Sequence, residues 1–121
     1  MPNEFSSPNN RRRYVRTNIF VRAHYTCPVR NATVEIQTRI SDISEGGVCL
    51  ITSPDQLPLN TIIMMSFVIP GSNGGLVAVG GKVKDTKIIG QDTYRSGIEF
   101  IGMDKKHLLA IREYVASHPP R

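Results

Sequence analysis

The chain of 121 residues contains no tryptophan, only two cysteines, and aromatic residues at 7%. So few rings leave little from which to build the exposed stacking platforms of single-strand nucleic-acid binders. Long apolar runs are also missing: no stretch approaches the roughly 20 residues a membrane-spanning helix needs, so membrane insertion is not expected. Residues 1–10, MPNEFSSPNN, lack the apolar segment of a secretion signal, and the default expectation is a cytoplasmic protein. Cys27 and Cys49 are not grouped with His24, His107 or His118 in any metal-ligand spacing. They read as two buried or half-buried thiols in a reducing compartment, with a disulfide as the alternative. No nucleophile is paired with a base and no two carboxylates are set for acid–base work, so neither an enzyme nor a metal or other cofactor is expected.

Acidic residues are in deficit, 10 against 15 Lys and Arg, for a formal charge of +5. The excess is concentrated: Arg11, Arg12, Arg13 and Arg16 face only Glu4 in the first 16 residues. An anionic partner should meet this end first. Length and a 40% apolar content fit one compact domain. Residues 1–10 read as a flexible leader rich in Pro, Ser and Asn, 11–118 as the domain, and 119–121 as a short tail.

From Thr17 the pattern alternates, with Ile19, Val21, Ala23 and Tyr25 on one face and Phe20, Arg22 and His24 on the other. Cys27, Pro28 and Arg30 to Asn31 predict a turn. A second strand places Val34, Ile36, Thr38 and Ile40 against Glu35, Gln37 and Arg39, with one wet face. It ends at Asp42, and Gly46 and Gly47 permit a bend or bulge before Val48 to Ile51 resume an apolar run. Ile62 to Ile69 predicts a strand buried on both faces. The segment Pro70 to Gly75 is glycine-rich but lacks the Lys-Ser/Thr of a phosphate-binding loop, and reads as a hairpin connection. Leu76 to Lys84 and Tyr94 to Ile101 are further strands around a turn at Gly90 to Thr93. Asp104 is set to cap a closing helix with Leu108, Ile111 and Val115 as its apolar stripe, ending before Pro119. About six short antiparallel strands with Gly and Pro punctuation favour a barrel or a sandwich.

Two short motifs carry chemistry. Arg12 and Arg16 form R-x-x-x-R, and Asp42, Ser44 and Gly47 form D-x-S-x-x-G at a strand corner. Guanidinium forks bind phosphate or the O6/N7 acceptor edge of guanine bidentately, where a lysine would offer only a point charge. A carboxylate matches guanine's adjacent N1 and 2-amino donors, which adenine lacks. A serine hydroxyl can donate to phosphate or base, and a glycine permits close backbone approach or a left-handed turn. Taken alone, D-x-S-x-x-G also reads as a plain turn in which Asp and Ser cap backbone amides, and the arginine cluster as a nonspecific polyanion tail.

In order, spacing and the strand between them, the two motifs resemble those of the PilZ domain family of bacterial cyclic di-GMP receptors. The tail GIEFIGMD (97–104) before the closing helix is similar to the family as well. The resemblance implies a mainly β fold, a six-stranded antiparallel β-barrel with a C-terminal α-helix and a flexible basic N-terminal arm. It implies cyclic di-GMP as ligand, with Arg12, Arg16, Asp42, Ser44 and Gly47 as the binding set and Arg11 as a possible contact to a second ligand molecule. It further implies second-messenger signalling of the kind that governs motility and biofilm formation, through a downstream protein that the sequence does not identify; DNA or RNA is not the expected partner. Two other classes stand beside this reading: a small basic barrel that binds nucleic acid, and a PilZ-like assembly part of pilus, flagellar or polysaccharide machinery that has lost its ligand.

Overall fold

The computed structural model describes residues 16–29, 32–53, 56–71 and 75–118. Six strands and one helix follow in order: β1 (Thr17–Val29), β2 (Ala32–Ile43), β3 (Gly47–Thr52), β4 (Ile62–Val68), β5 (Leu76–Gly90), β6 (Thr93–Ile101) and α1 (Lys105–Ser117). Every strand pairing is antiparallel, and the strands close into a barrel in the order β1-β2-β3-β6-β5-β4. The expected mainly β barrel with a C-terminal helix is the observed fold. The leader, Arg11 to Arg13 and the tail 119–121 lie outside the described residues.

Alternation builds the interior. Ile19, Ala23 and Tyr25 from β1, Ile40 from β2, Leu50 from β3, Ile63, Met65 and Phe67 from β4, Val77, Val79 and Val83 from β5 and Ile98 from β6 form one buried cluster. The helix joins it through Ile111 and Val115. Asp104 caps α1 as its spacing predicts, its carboxylate accepting from the Lys106 N–H at 3.2 Å. His107, expected at the surface or in a structural role, is buried in the first turn.

Three expectations are corrected. The predicted turn at Cys27 and Pro28 is strand, because β1 runs on to Val29, paired with Ala32. Its pairing with β4 reaches only Thr26, so Pro28 lies where one edge of the strand is unpaired, the kind of position in which a sheet tolerates proline. β4 is buried on one face only: Ile62, Met64 and Val68 point outward, because a closed barrel has a single wall with a wet outer side. β5 continues past Lys84 to Gly90, forming a ribbon with β6 around Gln91 and Asp92. The glycine-rich segment joins β4 to β5 as a hairpin connection, with Val68 opposite Leu76.

Candidate functional site

Arg16 of the first motif and Asp42 of the second meet on the outer wall where β1 begins and β2 ends. Arg16 immediately precedes β1, and its Nη1 lies 3.5 Å from Asp42 Oδ1. The same nitrogen donates to Cys49 Sγ at 3.3 Å. The arginine and aspartate side chains are 34% and 20% exposed, so both are anchored yet accessible.

Asp42 faces outward because of a bulge. Simple alternation along β2 would place it inside with Thr38 and Ile40. The register shifts between Ile40 and Asp42 against β3, and the facing strand shifts between Asn18 and Val21. The inward position therefore passes from Ile40 to Ile43, both fully buried, and Asp42 turns to the outer wall.

Ser44 to Gly47 form the tight corner into β3. The Ser44 N–H donates to the Gly47 carbonyl at 2.9 Å, and Ser44 Oγ accepts from the Gly46 N–H at 3.1 Å. The turn reading thus holds for Ser44, whose hydroxyl is 3.5 Å from the Gly47 carbonyl. It does not hold for Asp42, which pairs with Arg16. Gly47 satisfies close approach rather than a left-handed bend: an added Cβ would lie 1.9 Å from the Ile98 carbonyl oxygen and 3.2 Å from Glu99 Cα. Glu45, inside the motif, accepts from Arg112 Nε of α1 at 3.0 Å, and the Thr17 hydroxyl donates to the His118 carbonyl. The corner and the start of β1 are therefore both tied to the helix.

Sequence reasoning did not place Cys49 at this site. It stands opposite Asp42 on β3 and opposite Gly97 on β6, and Gly97 stands opposite Asp85. A row of outward positions, Asn18, Asp42, Cys49, Gly97 and Asp85, thus crosses the wall, with strands about 4.8 Å apart. Asp85 accepts from the Gly97 N–H at 3.1 Å, over the space a side chain at 97 would fill. Alternation along β3 was the available signal, since Cys49 falls between inward Val48 and Leu50. Burial first, then the Asp42 carboxylate, push the Cys49 thiol up to about 11, with Arg16 acting in the opposite direction. It is a free thiol and stays protonated near neutrality.

Arg11 and Arg12 lie outside the described residues, so of the arginine pair only Arg16 is placed. Among the described residues no group of three or more His, Cys, Asp or Glu could hold a metal ion, and no helix is long and apolar enough to cross a membrane. A separate groove of about 470 Å³ runs between α1 and the end of β4, past Ile69, Leu109 and Tyr114, and includes none of the motif residues.

The chain is thus a small β-domain, a closed six-stranded antiparallel barrel with a terminal helix, carrying an arginine and an aspartate side by side on its outer wall. The family model of the PilZ domain matches residues 10–117, and the chain belongs to that family. Comparison with curated proteins finds no match. Among solved structures, the Bacillus subtilis inhibitor of motility MotI/DgrA aligns with a TM-score of 0.72 at 14% identity, over 88% of this chain and 50% of that one. The PilZ domain of Escherichia coli YcgR, solved with cyclic di-GMP, aligns at 0.65 and 18% identity, over 89% and 91%. The MrkH–cyclic di-GMP complex of K. pneumonia aligns at 0.68 and 18%, over 88% and 50%. At these identities the likeness is one of fold, and the chain spans half the length of MotI/DgrA and of MrkH.

Proposed function

We propose that the protein is a cyclic di-GMP receptor. Its ligand-binding set is Arg12, Arg16, Asp42, Ser44 and Gly47, with Arg11 as an additional contact. The observation that carries this reading is the 3.5 Å approach of Arg16 to Asp42, which sets a reader of guanine's acceptor edge beside a reader of its donor edge. Membership of the PilZ family and the cyclic di-GMP bound to YcgR and MrkH support the ligand class.

Magnitudes allow the exchange that binding requires. The part-exposed Arg16–Asp42 pair contributes no more than about 1 kcal/mol, whereas each charge-assisted hydrogen bond to ligand is worth about 1.5–3 kcal/mol. Arg16 therefore leaves Asp42 for phosphate or guanine at a net gain, and the freed carboxylate takes the N1 and 2-amino donors. The ligand's phosphates draw Arg12 onto the same wall, ordering the arginine-rich arm against the barrel. The surface so changed is read by a downstream protein; the role is recognition and relay rather than turnover.

Calorimetric titration with cyclic di-GMP, GTP and cyclic di-AMP tests the reading. Cyclic di-GMP is expected to bind in preference to the others, with guanine selectivity lost in Asp42→Ala. Arg12→Ala should weaken affinity by about 10- to 100-fold; unaltered binding in that variant refutes its role. Salt-sensitive oligonucleotide binding with no preference for cyclic di-GMP would place the protein in the nucleic-acid class instead.

A further inference from the structure

Away from the motif wall, the outer surface around β4 is apolar where a solvent-facing wall is ordinarily polar. Ile62, Met64 and Val68 of β4, Leu76 of β5 and Ile101 of β6 are 44–59% exposed. The register sets them in successive rows of one face: Val68 opposite Leu76, then Ser66 opposite Ala78, then Met64 opposite Gly80, which stands opposite Ile101, with Ile62 next along β4. Single exposed apolar residues are ordinary, but a contiguous group on one face marks an interaction site.

The face also has relief. A Cβ at Gly80 would stand 3.6 Å from Met64 Sδ and 3.7 Å from Ile101 Cβ, so the missing side chain leaves a notch walled by these two residues. Methionine is a compliant wall for a partner side chain.

Charge decides what fits. Lys82 lies between Ile62 and Glu99 in register, Lys84 pairs with Glu99 at 3.9 Å, and Arg22 projects outward from β1 two residues before His24, which stands opposite Ser66 of β4. Arg22 and Lys82 have no ion-pair partner among the described residues. A second copy of this chain would bring the same uncompensated cations toward one another, whereas a partner bearing carboxylates would neutralise them.

We propose that this face docks a protein segment that is apolar at its centre and acidic at its edges, with one apolar side chain seated on Gly80. The site uses none of the motif residues and does not depend on the ligand reading.

The test is selection of displayed random 16-residue peptides on the full chain, followed by affinity measurement on variants. Enriched peptides should combine an apolar centre with an excess of Asp and Glu. Their binding should weaken tenfold or more in Gly80→Val, in Met64→Glu, and in the double variant Lys82→Glu with Lys84→Glu. A Cβ at Gly80 would stand 3.5 Å or more from its nearest neighbours, an ordinary contact distance, and circular dichroism with urea unfolding will verify that Gly80→Val keeps the fold. Cyclic di-GMP affinity should be unchanged in all these variants; absence of ligand binding in the unaltered chain would sink the receptor reading and leave this one standing. No enrichment, enrichment without acidic excess, or binding indifferent to Gly80→Val overturns the proposal. So does dimerisation abolished by Met64→Glu in sedimentation, which would give the face to a second copy.

Discussion

At Gly47 the missing side chain is a demand of the fold before it is one of any ligand. A Cβ there would lie 1.9 Å from a backbone carbonyl of β6, and a paired strand cannot withdraw as a flexible side chain can. Gly47→Ala should destabilise the protein by about 3 kcal/mol, read from urea unfolding. Cys49, two residues on, makes a prediction in pH. Its thiol rises from 9.0 to about 11 in the folded protein, so the unfolded chain releases the proton first. The stability it confers is complete below the unfolded value and is lost as pH climbs to the folded one. Between pH 9 and 11 the unfolding free energy should fall by on the order of 2 kcal/mol more in the unaltered protein than in Cys49→Ala; parallel curves would exclude the effect.

Among the elements, α1 was the most legible, since a capping aspartate and an apolar stripe at spacings of three and four are local signals. The observed cap geometry predicts that Asp104→Ala costs about 1 kcal/mol in thermal or urea unfolding. The long ties of α1 were not legible: Arg112 to Glu45 is 67 residues apart and Thr17 to His118 is 101, and no spacing rule spans such distances. β4 shows the opposite failure. Its continuous apolar run predicts burial on both faces by the logic of stacked layers, and the single wall of a barrel leaves half of it to solvent. From Glu35 to Ile40 the alternation read in β2 holds, and there its two-residue period breaks.

For the molecule as a whole, a receptor that binds its ligand only when folded gains stability from it. Cyclic di-GMP at 100 times its dissociation constant should add about 2.7 kcal/mol, seen as a raised melting temperature in circular dichroism. The same concentration should give Asp42→Ala much less. The alternation of β1 and β2, the connection of β4 to β5 and the helix stripe are set by neighbours within a few residues, and the order of the two motifs is a property of the chain itself, so the sequence alone determined them. Closure of the barrel, the Ile40 to Asp42 bulge that turns the aspartate outward, and the meeting of Arg16, Asp42 and Cys49 depend on strand register, which is decided between chain segments far apart. A one-residue shift of register reverses which face a side chain occupies. For that reason only the tertiary structure could decide that Asp42 lies on the wall beside Arg16 and not in the core.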